Sequence, residues 1–220
     1  MPWTSRNTMR LLLLLSFSSL AAWAQPFFFG VEVGTPVTDF FSGSGTAQFP
    51  YSSITNRYLI GPTAELRLPL GFAVEFEALY RHYSYYSPGF RVLEPPIIQL
   101  QDGLEQATGG AWEFPLLAKY HLPTKWVKPY LDGGVAWNRI SGLSALVCSI
   151  NCGTTTRAPS LENGAVTGAV AGAGIDIPLF FLHLSPEVRY TRWGARQFQS
   201  PNGGFGSRQD QVEILLGITY

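Results

Sequence analysis

Three groupings in the chain have the residue types and spacing for chemistry. Cys148 and Cys152 stand as Cys-Ser-Ile-Asn-Cys. Two thiols this close can form a local disulfide in an oxidising compartment, whereas a metal site needs further ligands and no histidine stands nearby in the sequence. His183 and Ser185 share one face of an extended segment with Glu187, and Glu213 has the same phase in another, which are the residue types of a Ser/His/acid hydrolase. Gly164 to Gly174 is rich in glycine, as a nucleotide loop would be, but Ile177 stands where the third glycine of a dinucleotide fingerprint would fall. These groupings are therefore expected to be a Cys148–Cys152 disulfide, a histidine hydrogen-bonded to a carboxylate, and a strand whose small residues leave room for bulky neighbours. No catalytic residue, cofactor or metal is assigned, and the chain is not expected to be an enzyme.

The elements that would position these residues follow from composition and periodicity. The chain has 220 residues, with 15 Lys+Arg balancing 15 Asp+Glu. Charged residues make up only 14%, well below the roughly 25% of soluble domains. Aromatics are also 14%, too many for a disordered chain. The absence of a basic excess argues against nucleic acid as a partner. Arg6 and Arg10, an apolar run from Leu11 to Leu20, and Ala22-Trp23-Ala24 have the layout of a secretory signal peptide covering 1–24. Residues 25–220 would then form one exported domain.

Eight segments of that domain alternate with period two: Phe27–Thr38, Thr55–Pro69, Gly71–Tyr83, Ala111–His121, Val127–Ile140, Ala165–Ile177, Leu182–Thr191 and Gln211–Tyr220. Most are long enough for a tilted strand to cross a bilayer, which takes about 9–11 residues. One phase is apolar, as in Phe72, Val74, Phe76, Ala78 and Tyr80. The other carries the charges: Glu32, Glu65, Arg67, Glu75, Glu77, Arg81 and Glu113 in the first half, then Lys119, Lys128, Asp132, Asp176, Glu187, Arg189 and Glu213. A soluble sandwich also alternates. Here, however, short and long connections alternate, and aromatics gather at both ends of the apolar phase. Tyr58, Tyr80, Trp112, Trp137 and Tyr190 lie toward the long connections, while Phe72, Tyr120, Trp126 and Tyr220 lie toward the short ones. Short turns on one side, long loops on the other and two aromatic girdles are features of transmembrane barrels. Pro62, Pro115, Pro129 and Pro186 fall inside these segments and are expected at bulges or near the interface.

Pro-Thr-Ala-Glu-Leu-Arg-Leu-Pro (62–69), Trp-Glu-Phe-Pro-Leu-Leu-Ala-Lys-Tyr (112–120), Lys-Pro-Tyr-Leu-Asp-Gly-Gly-Val-Ala (128–136), Leu-Ser-Pro-Glu-Val-Arg-Tyr-Thr-Arg-Trp (184–193) and Val-Glu-Ile-Leu-Leu-Gly-Ile-Thr-Tyr (212–220) resemble strands of small bacterial outer-membrane proteins, the eight-stranded OmpA/OmpX/OmpW-like barrels. The resemblance implies an all-β, eight-stranded, antiparallel up-and-down barrel in the bacterial outer membrane, in contact with its lipids. Inside such a barrel the fourteen charges would meet one another. They include nine acids and five bases, so a plugged lumen and a narrow cation path are both open. A structural or surface-binding monomer acting through long external loops is the leading expectation, with a small channel second. Some outer-membrane lipid A deacylases resemble the His-x-Ser spacing here, but His183 follows a short turn and would lie on the periplasmic side, away from lipid A.

The resemblance also implies that a terminal aromatic such as Tyr220 is read by the barrel-assembly machinery. Deleting Tyr220 should then leave precursor for periplasmic proteases while the purified chain still refolds in detergent. Normal membrane yield in cells would refute this reading.

Overall fold

The computed structural model describes residues 27–43, 52–55, 57–91, 101–148, 152–156, 158, 160–199 and 205–220; the expected leader at 1–24 lies outside them. Eight strands form the wall of a barrel. They are β1 (Phe27–Pro36), β2 (Leu59–Arg67), β3 (Phe72–Glu77, resuming as Leu79–Arg91), β4 (Gln101–His121), β5 (Lys128–Cys148), β6 (Ala165–Leu179), β7 (Leu182–Trp193) and β8 (Asp210–Thr219). Each is antiparallel to its sequence neighbours, and β8 returns to β1 through Gly30↔Thr219 to Pro36↔Glu213. Tyr220 and Phe29 extend that seam by exchanging two backbone hydrogen bonds, at 2.9 and 3.1 Å. The sheet therefore closes on itself and leaves no barrel edge unpaired, which a hydrocarbon environment requires.

The two phases separate cleanly. Leu116 is 41% exposed on the outer wall, whereas Lys119 is 4% exposed inside. Phe29, Ile60, Phe76, Leu131, Val188 and Ile214 continue the outward apolar belt. At one end Tyr80 and Trp112 lie with ring centroids 5.2 Å apart, and at the other Phe72 and Tyr120 lie 5.0 Å apart. Trp137, Tyr190 and Tyr58 stand exposed toward the first end, with Tyr220 and Trp126 toward the second. The short turns there are strongly apolar, with Leu70, Trp126, Phe180 and Phe181 all exposed.

The prolines behave differently from the sequence expectation. No bulge is found at any of the four; the one register shift among the described strands is between Thr108 and Gly110. At three of them the register continues unchanged across a gap in the ladder. β2 pairs with β3 at Thr63↔Glu77 and again at Ile60↔Tyr80. β3 pairs with β4 at Phe76↔Leu116 and again at Leu79↔Glu113. By these registers Pro62 stands opposite Ala78 and Pro115 opposite Glu77, and β3 is interrupted at Ala78, whose N–H donates to the Pro62 carbonyl at 3.0 Å. Pro186 faces a similar gap between Gly174↔Glu187 and Ile177↔Leu184. A proline removes one ladder donor. The rest of the closed sheet is sufficient to hold the register without it. Pro129 pairs in register with Ile175.

Three strands are longer than their alternation suggested. β4 and β5 each have 21 residues, about twice the 9–11 or so that a bilayer needs. With the outer half of β3 they rise beyond the Tyr80–Trp112 girdle as a sheet. Ser52–Thr55 pairs with Tyr83–Tyr86 on one side, and Cys152–Thr155 with Ala145–Cys148 on the other. Cys148 and Cys152 are bonded to each other at this hairpin, with Cα atoms 4.0 Å apart. Residues 141–148 and 152–155, in the connection between the alternating segments that end at Ile140 and begin at Ala165, are therefore strand.

Leu116→Arg places a cation on the lipid face and should cost about 2–4 kcal/mol near the bilayer midplane. Urea titration of the barrel in lipid vesicles, read by heat-modifiable gel mobility, measures that loss.

Candidate functional site: a charged lumen beneath an aromatic cluster

Each strand turns its polar phase inward, so side chains from distant parts of the sequence meet across the bore. Nearest the short turns, Arg67 Nε donates to Glu65 at 2.5 Å and its Nη2 to Asp176 at 3.0 Å. The Arg67 guanidinium also lies 4.0 Å from the centroid of the Phe28 ring. His183 Nδ1 shares a 2.7 Å hydrogen bond with Asp176 Oδ1. The acid beside His183 is thus Asp176, from the facing strand, and the geometry contains no Glu187 or Glu213 contact to this histidine. Ser185 lies opposite Gly217 on β8. Lys128 stands half-exposed at the rim, lining a cavity of about 410 Å³ with Arg67 and His121.

The middle of the bore is crossed by Arg189. From β7 it reaches the opposite wall, where Nη1 and Nη2 donate to the two oxygens of Glu77 on β3 at 2.6 and 2.7 Å. Its Nε donates to Glu187 at 2.7 Å, and Glu32 on β1 lies 3.5 Å away. Lys119 pairs with Glu75 and lies 3.5 Å from Glu187. Tyr130 donates to Glu187 at 2.9 Å and Thr63 to Glu75 at 2.7 Å. Room for these groups comes from β6. A Cβ added at Gly172 would meet Asp132 Oδ1 at 2.5 Å, and one at Gly174 would meet the Tyr130 hydroxyl at 2.3 Å. On that strand the glycines turn inward, while Ala169, Ala171 and Ala173 face outward.

Above this layer Arg81 pairs with Glu113 at 3.0 Å and with Glu213. Asn138 donates to Glu113 at 3.1 Å, and Gln197 donates to Asn138 at 2.8 Å. The last contact brings a residue beyond β7 down into the mouth of the barrel.

At the mouth lies a buried aromatic cluster that the alternation did not reveal. Phe40 and Phe41, just after β1, pack with Tyr83 and Tyr85 of β3 and with Phe198 beyond β7. Phe198 lies 5.4 Å from Phe41 and 5.5 Å from both tyrosines, in edge-to-face geometry. Small residues, Ala107, Ala111, Ala145 and Ala158, complete the cluster. Tyr85 donates to Glu105 at 2.6 Å, and Ser160 donates to the same Glu105 oxygen at 2.9 Å. Burial, then the adjacent Glu105 carboxylate, push the Tyr85 hydroxyl well above its usual range, so it remains a donor. A short sheet of Phe41–Gly43 with Phe205–Ser207 ties the two loops together. The available sequence signal was Asp-Phe-Phe at 39–41 and a lone Phe198 among polar loop residues.

A closed eight-stranded antiparallel barrel with an apolar exterior and a polar interior is the fold of the small outer-membrane barrels. No protein-family model and no curated protein matches the sequence. Among solved structures, the outer-membrane protein OprG of Pseudomonas aeruginosa is similar over 88% of this chain and 94% of its own, at 14% identity and a TM-score of 0.51. Neisserial surface protein A aligns over 89% and 96%, at 15% identity and a TM-score of 0.42. At such identities the likeness concerns the fold alone.

Arg189→Ala would strand buried Glu77 and Glu32 without their cation and leave Glu187 with Lys119 alone. Removing one partner from a buried pair costs about 3–5 kcal/mol. The same urea titration should show that loss, whereas Arg192→Ala, at an exposed pair with Asp210, should leave the midpoint nearly unchanged.

Proposed function

We propose that the protein is an exported outer-membrane barrel that conducts nothing and acts as a structural or surface-binding monomer through the sheet it raises outside the bilayer. The carrying observation is that the bore is obstructed twice. Arg189 spans it with ion pairs to opposite walls, and the cluster around Phe198 covers its outer mouth. Its fold, which the OprG structure shares, and the leader expected at 1–24 support the location. The external sheet is suited to recognition because it stands on a rigid scaffold and is fixed at one corner by the Cys148–Cys152 bond.

The acid excess in the lumen favours a second reading, a narrow cation path, and conductance separates the two. Purified wild-type barrel in a planar bilayer should give no steady channel events. Phe198→Ala, which opens the cap but leaves the ion pairs, should also stay silent. It should lower stability by about 3–5 kcal/mol, as a buried Phe truncation does. Cation-selective steps from the wild type would overturn the plugged reading. Fractionation of cells should find the heat-modifiable band in the outer membrane.

A further inference from the structure

The cavity between the β2–β3 and β4–β5 turns has a lining of two chemical kinds. Arg67, His121 and Lys128 supply its polar side, Leu70, Phe72 and Leu122 much of its apolar side, and no acid lines it. Its volume of about 410 Å³ falls within the roughly 300–1,000 Å³ of small-molecule sites.

The polar groups are not used up by the lumen. Arg67 binds Glu65 through Nε and Asp176 through Nη2, which leaves Nη1 without a hydrogen bond among the described residues. Lys128 stands opposite Asp176 in the β5–β6 ladder, but both Asp176 oxygens are taken, by Arg67 and His183. Lys128 therefore has no ion pair among the described residues. His121 is 9% exposed, and its side chain makes no hydrogen bond among those residues either. Three donors from three strands thus line one cavity without a partner.

The apolar side is built at a cost. Leu70 has φ +67° and Gly71 φ +84°, a turn in which the first position ordinarily goes to Asn, Asp or Gly. Leu70 occupies it instead and is 87% exposed. Gly71 permits the close approach of this turn to β4, since a Cβ there would meet the His121 carbonyl oxygen at 2.6 Å. Phe180, at φ +54° and fully exposed, repeats the pattern in the β6–β7 turn. A strained turn that projects a large apolar side chain away from the barrel would be doubly unfavourable in water. It suits a lipid leaflet, and the Phe72–Tyr120 girdle sets the cavity at headgroup level.

We propose that this cavity binds one anionic phospholipid of the periplasmic leaflet. Its phosphate would accept from Arg67 Nη1, His121 and Lys128, and its acyl chains would lie along Leu70, Phe72 and Leu122. Basic pockets at a membrane surface take lipid head groups in this way. The acid-free lining sets the selectivity: nothing in it would receive the ammonium of phosphatidylethanolamine, whereas phosphatidylglycerol carries none. The proposal rests on the outer-membrane placement above. Cell fractionation tests that placement, and lipid binding by the detergent-folded barrel tests the site.

The test uses the full chain folded in detergent, mixed with phosphatidylglycerol or with phosphatidylethanolamine of the same acyl chains, and read by native mass spectrometry. One phosphatidylglycerol per chain is expected, held about fivefold tighter or more than phosphatidylethanolamine. Lys128→Gln should weaken phosphatidylglycerol binding about fivefold, while Lys125→Gln, in the same turn but outside the lining, should bind as the wild type does. Leu70→Asn should keep the heat-modifiable fold yet retain less lipid. Equal retention of the two lipids would overturn the proposal, as would equal loss in the two lysine variants, which would mark general surface charge. Displacement of the lipid by glycerol phosphate alone would also overturn it, because the site would then be one for a soluble phosphate. If Lys128→Gln fails to fold, the lipid preference of the wild type and the Leu70→Asn barrel decide.

Discussion

Hydrocarbon offers no partner to a backbone N–H or C=O, and most of this structure follows from that constraint. It forces the sheet to close through Gly30↔Thr219 and its neighbours. Closure with eight strands leaves a bore only wide enough for side chains. Whatever the inward phase carries must then fit and pair in that bore. Arg189 shows the result: a single guanidinium touches carboxylates from β1, β3 and β7 because no other place is available to them.

The prolines show how far the constraint can be relaxed. Pro62, Pro115 and Pro186 each face a gap in pairing, yet the registers on both sides agree. An isolated hairpin would slip at such a point. In a closed barrel, a slip of one strand would shift every other strand and turn the charged phase toward lipid. The local loss is therefore held in place by the whole ring, and inward pairs such as Arg189 with Glu77 hold it further.

Most of the wall was legible in the sequence. Period-two alternation placed Leu116 outward and Lys119 inward, because lipid and lumen impose opposite chemistry on successive residues. The partners inside the lumen were not legible. His183 pairs with Asp176 rather than Glu187 or Glu213, since cross-strand register decides the contact and sequence phase does not. The outer halves of β4 and β5 were missed for a related reason. Above the membrane no lipid demands an apolar face, so residues 141–148 need no strict alternation to form strand. The cap was hidden because Phe40, Phe41 and Phe198 are far apart in sequence and meet only when the barrel has closed.

The cap also limits how the exposed loops can change. Described residues after β1, between β5 and β6, and between β7 and β8 share one buried cluster, so these parts of the loops pack as one body. Immune pressure or engineering that varies a surface loop usually treats each loop as its own unit. Here, grafts near Phe198 or Phe40 would disturb the parts of all three loops that meet there, and even Gly153, exposed at the disulfide-closed hairpin, stands opposite Val147, which packs against the same cluster.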